Sequence, residues 1–137
     1  MNHILAKEIA LTFDDAPGNN SPFFESKQRT DTLITKLNNL KVKGAMIFAN
    51  PCKDSKDGVK QLKKYVDAGH FIGNHTCWHV KLDEVGLKKY TQDTLAAEEM
   101  IASLIKGQKF FRYPYLNEGS DPKLRDQMRE WLKEHGY

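Results

Sequence analysis

His75 and His79, in the run Gly73-Asn74-His75-Thr76-Cys77-Trp78-His79, stand four residues apart, a spacing at which two imidazoles can converge on one metal ion. Taken alone, such a pair is more often hydrogen-bonded or solvated than ligating. It gains meaning with a third donor, and the best candidate is Asp15, in Leu11-Thr12-Phe13-Asp14-Asp15-Ala16-Pro17. Two imidazole nitrogens and one carboxylate oxygen leave a position free for water, as in catalytic zinc centres. Asp14 adds a second carboxylate, and Arg112-Tyr113-Pro114-Tyr115 adds a cation and two phenols. Each piece has an ordinary explanation. Asp-Asp-Ala-Pro is a turn signal, Arg112 a surface ion pair, and Trp78 and Tyr115 packing residues. Only their meeting on one surface makes a reaction centre.

That meeting depends on the elements between them. Ile4 to Phe13 is apolar and β-branched and runs into the turn residues Asp14 to Gly18, so it reads as a strand. Thr30 or Asp31 would cap a helix with Leu33, Ile34, Leu37 and Leu40 on one face, followed by Gly44. The pattern then repeats. A strand at Ala45–Ala49 precedes a helix from Asp57 with Val59, Leu62, Tyr65 and Val66 inward. A strand at Phe71–Ile72 precedes a helix from about Thr91 carrying Leu95, Met100, Ile101 and Leu104. A strand at Phe110–Phe111 precedes a helix opened by Asp121-Pro122 and carrying Leu124, Met128, Trp131 and Leu132. Four strand–helix units predict an α/β fold with a parallel sheet and right-handed crossovers. In such folds the chemistry gathers at the C-terminal ends of the strands. Asp14, Asp15, His75, His79, Arg112 and Tyr115 all fall there. His3, His70 and His135 belong on the opposite rim.

The 137 residues amount to one domain, 39% hydrophobic and 28% charged. A net charge of +3 with dispersed lysines argues against nucleic-acid binding. No stretch approaches the roughly 20 apolar residues of a membrane span. Met1 to Leu11 lacks the pattern of a signal peptide. Cys52 and Cys77 read as two reduced thiols rather than a disulfide framework.

Thr12-Phe13-Asp14-Asp15-Ala16-Pro17, His75-Thr76-Cys77-Trp78-His79 and Arg112-Tyr113-Pro114-Tyr115, in this order, resemble the first three motifs of the polysaccharide deacetylase family (carbohydrate esterase family 4, the nodulation-deacetylase homology domain). The resemblance implies a distorted (β/α) barrel, present here as about four β-α units of a single domain whose C-terminal part is missing. Ala16 stands where the family usually has glycine. The later family motifs, among them the Leu-x-His that supplies a general-acid histidine, have no counterpart before Tyr137.

The resemblance further implies metal-dependent hydrolysis of N-acetyl groups from an amino-sugar polymer or oligomer, chitin- or peptidoglycan-like, with release of acetate. Asp15, His75 and His79 would hold a divalent ion, Zn²⁺ first and Co²⁺, Ni²⁺ or Fe²⁺ as alternatives. Asp14 would be the general base, Arg112 would hold it in place, and the Tyr115 backbone N–H would help bind the oxyanion. Trp78 and Tyr113 are candidates to line a sugar subsite. The resemblance favours a periplasmic or extracellular setting. The open edges of a partial barrel predict self-association. Two alternatives stand beside this reading: a metal- or carbohydrate-binding fragment without turnover, and an amidohydrolase acting on a non-sugar amide. A two-histidine, one-carboxylate set also suits non-haem iron oxygenases, but those sites are usually built on antiparallel β folds.

Overall fold

The computed structural model describes residues 8–53 and 57–137. Its sheet has three strands, β1 (Thr12–Ala16), β2 (Met46–Ala49) and β3 (Phe71–Asn74), all parallel and in the order β1-β2-β3. Parallel neighbours need crossover connections. Here α1 (Ser26–Asn39) and α2 (Gly58–Asp67) supply them, followed by α3 (Leu82–Ile101) and α4 (Pro122–Glu134). The architecture is the expected α/β one. No helix among the described residues is long and apolar enough to cross a membrane.

The differences from the sequence reading have local causes. Ile4 to Lys7 of the expected first strand lie outside the described residues, and regular pairing starts at Thr12. α1 begins at Ser26, ahead of the expected cap at Thr30 or Asp31. The Glu25 N–H donates to Gln28 Oε1 at 3.2 Å, half of a capping box that uses neither serine nor threonine. α3 begins at Leu82 rather than near Thr91, and Gly86 interrupts it with φ 72° and ψ 168°. That break hides the helical period on either side. Leu95, expected inward, is exposed, because Tyr90, Thr94, Ala97 and Ile101 form the buried face. α4 opens as expected, with the Asp121 carboxylate accepting from the Lys123 N–H at 2.9 Å.

The fourth strand is reduced to a single parallel bridge between Asn74 and Phe111. The Asn74 N–H donates to the Phe110 carbonyl at 2.8 Å and the Arg112 N–H to the Asn74 carbonyl at 3.0 Å. Pairing stops there because Pro114 has no N–H to give. Tyr115 and Leu116 then turn the chain through left-handed φ values of 58° and 53°.

Two apolar clusters hold these elements. The first packs Ile47, Ala49 and Ile72 of the sheet against Leu62, Tyr65 and Val66 of α2 and Ile101 of α3. The second joins α3 to α4 through Leu82, Tyr90, Met128 and Leu132, with Phe111 and Tyr113 against them. Full burial of a leucine or isoleucine contributes about 1.5–3 kcal/mol, so the sheet–α2 contact fixes the register of β2 and β3. Gly73 is the tight point. A Cβ built there would lie 2.7 Å from the Phe48 ring and 3.2 Å from the Phe110 carbonyl oxygen. Gly73→Ala should therefore destabilise the fold by about 1–3 kcal/mol through overpacking. Denaturant titration measures it; an unchanged midpoint would show that Phe48 moves aside freely.

Candidate metal and hydrolytic site

Asp14 and Asp15 are consecutive residues of β1, and on a regular strand their side chains would point to opposite faces. The strand is not regular there. Its register with β2 shifts between Phe13 and Ala16, and Asp15 has φ 64°. Both carboxylates consequently reach the same rim. Positive φ falls on Asp15 and not on Ala16, which packs in the core at 8% exposure. Alanine in place of glycine at position 16 is thus accommodated.

His75 and His79 follow the end of β3. Thr76 and His79 are left-handed, with φ 61° and 60°. The His79 N–H donates to Thr76 Oγ1 at 3.1 Å, and the Thr76 N–H to Asn74 Oδ1 at 2.8 Å. Asn50, at the end of β2, gives its side-chain amide to the carbonyls of His75 and Thr76. One donor atom from each of Asp15, His75 and His79 lies within 4.8 Å of the others. His79 Nε2 stands 3.2 Å from Asp15 Oδ1. Tetrahedral zinc with bonds of about 2.0–2.2 Å separates its ligand atoms by about 3.3 Å.

The chemistry of the donors fits an ion as well. His75 Nδ1 lies 2.7 Å from the Arg112 carbonyl oxygen. A carbonyl only accepts, so Nδ1 carries the hydrogen and Nε2 keeps its lone pair. This is how metal-ligating histidines are commonly oriented. Burial is the main cause holding both imidazoles below the ordinary value of 6.5. Asp15 partly opposes it at His79; at His75 the Arg112 carbonyl opposes it first, then Asp14 and Asp15. Neutral imidazole is the ligating form.

Arg112 serves the site twice. Its carbonyl orients His75, while its Nη1 donates to Asp14 Oδ1 at 2.8 Å and to Thr12 Oγ1 at 2.9 Å. The guanidinium also lies over the Phe48 ring, 4.1 Å from its centre. The Tyr115 ring is 4.4 Å from that of His79. Trp78 is 59% exposed beside the two histidines. Tyr113 is different: its ring stacks on Tyr90 at 6.2 Å, meets Phe111 edge-on, and buries its hydroxyl. Its ring thus packs against the second core cluster, while the residue as a whole stays half-buried.

Several neighbours carried no signal in the sequence. Lys53 Nζ reaches within 3.7 Å of Asp15 Oδ1. Asn50 and Asn74 were legible only as polar residues ending apolar strands. Cys52 and Cys77, expected as free thiols, are paired, with Cα atoms 5.0 Å apart, inside the usual disulfide range. The adjacent ends of β2 and β3 bring them together.

The polysaccharide deacetylase family model matches residues 4–137. The chain belongs to that family. A peptidoglycan-N-acetylglucosamine deacetylase of Bacillus cereus is 30% identical over 131 residues, covering 95% of this chain and 42% of its own. A solved peptidoglycan N-acetylglucosamine deacetylase, in complex with 4-naphthalen-1-yl-N-oxidanyl-benzamide, is 30% identical with a TM-score of 0.71, covering 95% of this chain and 54% of its own. A solved polysaccharide deacetylase from Bacillus cereus is 29% identical with a TM-score of 0.68, covering 93% and 56%. The chain therefore spans about half the length of these relatives, and its fold is the corresponding part of the deacetylase barrel.

The histidines set a pH dependence. Burial also lowers His70, whose two ring nitrogens are without partners among the described residues. Below the ordinary value of 6.5 the unfolded chain binds protons that folded His70, His75 and His79 do not. Their contribution is full above that pH and is lost as pH falls through the lowered folded values. The melting temperature of the EDTA-treated chain should be level above about pH 7 and fall from about pH 6.5 downward. A melting temperature that rises on acidification in that range would mean the imidazoles are held charged.

Proposed function

We propose that the chain carries the metal-holding and general-base part of a centre that hydrolyses N-acetyl groups of amino-sugar polymers or oligomers, of which peptidoglycan and chitin are examples. The observation that carries this reading is the convergence of Asp15, His75 and His79 beside the Asp14–Arg112 pair. These three residues would hold a divalent ion, zinc by its donor set, with cobalt, nickel or iron able to replace it. When bound, the ion supplies Lewis acidity toward water and the amide carbonyl.

The chain's own residues supply the base and the positioning groups. Asp14 accepts the proton of the attacking water, and Arg112 fixes the direction of its carboxylate. Water oxygen bonds to the acetyl carbon and the carbon–nitrogen bond breaks. The proton goes to the departing nitrogen, leaving a free amine and acetate. The Tyr115 N–H would face the developing oxyanion, where one donor is commonly worth about 100-fold or more. Trp78, exposed beside the ligands, offers a surface on which a sugar ring can stack.

A second reading is a fragment that binds metal or glycan without turnover. It is favoured by one fact: among the described residues, His75 and His79 are the histidines on this rim, and both are taken as ligands. Zinc content and acetate release from chitooligosaccharide and peptidoglycan fragments separate the two. Asp15→Asn, which alters a ligand itself, should weaken zinc binding by at least the roughly 100-fold that loss of an outer-shell partner can cost. Asp14→Asn should keep the zinc and lower acetate release by about 100-fold or more. Stoichiometric zinc without acetate from the unchanged chain would favour the second reading. Unchanged zinc affinity in Asp15→Asn would overturn the ligand assignment.

A further inference from the structure

We propose that Asp93, on α3, is a positioning residue for the metal-ligand loop, its carboxylate clamping the backbone between the two histidines. The inference rests on the metal reading above and adds to it the group that keeps the ligands apart and aimed. The loop needs such a group, because Thr76 and His79 both sit in the left-handed region. Each non-glycine residue held there costs about 1–3 kcal/mol, so surrounding bonds must impose the conformation.

Those bonds can be followed N–H by N–H. His75 donates to the Ala49 carbonyl at 3.0 Å, Thr76 to Asn74 Oδ1, and His79 to Thr76 Oγ1. The remaining two, Cys77 and Trp78, both donate to Asp93 Oδ2, at 3.0 and 3.1 Å. Cys77 also approaches the Asp93 carbonyl at 3.3 Å. Every backbone N–H from 75 to 79 is therefore paired, and a single carboxylate oxygen takes the two at the crown of the loop. Successive N–H groups converging on one anion form a nest. A charged acceptor makes each bond about twice as strong as a neutral one. The contact also links the loop to α3, whose Thr94 carbonyl accepts from Asn74 Nδ2 at 2.9 Å.

The test uses Asp93→Ala and Asp93→Asn beside the unchanged chain, with Co²⁺ as the probe ion. Cobalt affinity is read by chelator competition, site geometry by the visible d–d spectrum, and the clamp by amide hydrogen exchange at Cys77 and Trp78. Asp93→Ala should weaken cobalt binding by about 10- to 100-fold. It should also alter the spectrum and speed exchange at both amides, with β2 and β3 protection retained. Asp93→Asn, whose amide oxygen can accept the same two bonds, should recover most of the loss. The proposal is overturned if Asp93→Ala keeps parental exchange at both amides and a parental cobalt spectrum. Should Asp93→Ala not fold, the unchanged chain still decides: Cys77 and Trp78 amides exchanging as freely as exposed loop amides would overturn the clamp. An unchanged chain that binds no cobalt would remove the metal reading, while the exchange data would still judge Asp93.

Discussion

The site depends on one irregularity in β1. A strand sends consecutive side chains to opposite faces, yet Asp14 and Asp15 both stand on one rim, one facing Arg112 and the other facing His79. The register shift after Phe13 and the left-handed Asp15 provide this. The distortion is held from β2, where the Asn50 N–H donates to the Ala16 carbonyl at 2.8 Å. It belongs to a wider pattern. Six non-glycine residues have positive φ among the described residues, and four of them (Asp15, Thr76, His79 and Tyr115) line the site. Backbone strain concentrates where the donor atoms must converge, and the apolar clusters beneath the sheet offset it.

Arg112 shows why the three segments act together. Its side chain holds the carboxylate of β1, its carbonyl orients a histidine from the end of β3, and its own N–H pairs with Asn74. The single bridge at Phe111 is thus a short strand with a large positional effect. It sets the distance between Asp14 and the Asp15, His75 and His79 cluster without a long fourth strand.

The order of elements was legible because it rests on apolar runs punctuated by turn residues. The rim assignment followed from that order: Asp14 and Asp15 lie in the C-terminal half of β1, and His75, His79 and Arg112 follow the next strand ends, whatever lies between. What stayed hidden depends on contacts distant in sequence or on unusual φ. Nothing at Asp93 in the sequence distinguishes it from a solvated helix residue, and Asn50 reads as a turn. The partnership of Cys52 with Cys77 needs the adjacency of two loops 25 residues apart. Tyr113 reads as a site residue because it stands between Arg112 and Tyr115, and nothing in the sequence shows that its ring also packs against the α3–α4 cluster, next to Tyr90.

X-ray absorption at the zinc edge of the zinc-loaded chain tests most directly that Asp15, His75 and His79 form the metal centre. The expected spectrum has imidazole nitrogen and carboxylate oxygen at about 2.0–2.2 Å and no sulfur. A sulfur shell near 2.3 Å would place the ion on cysteine instead, and a chain that retains no zinc would contradict the assignment outright.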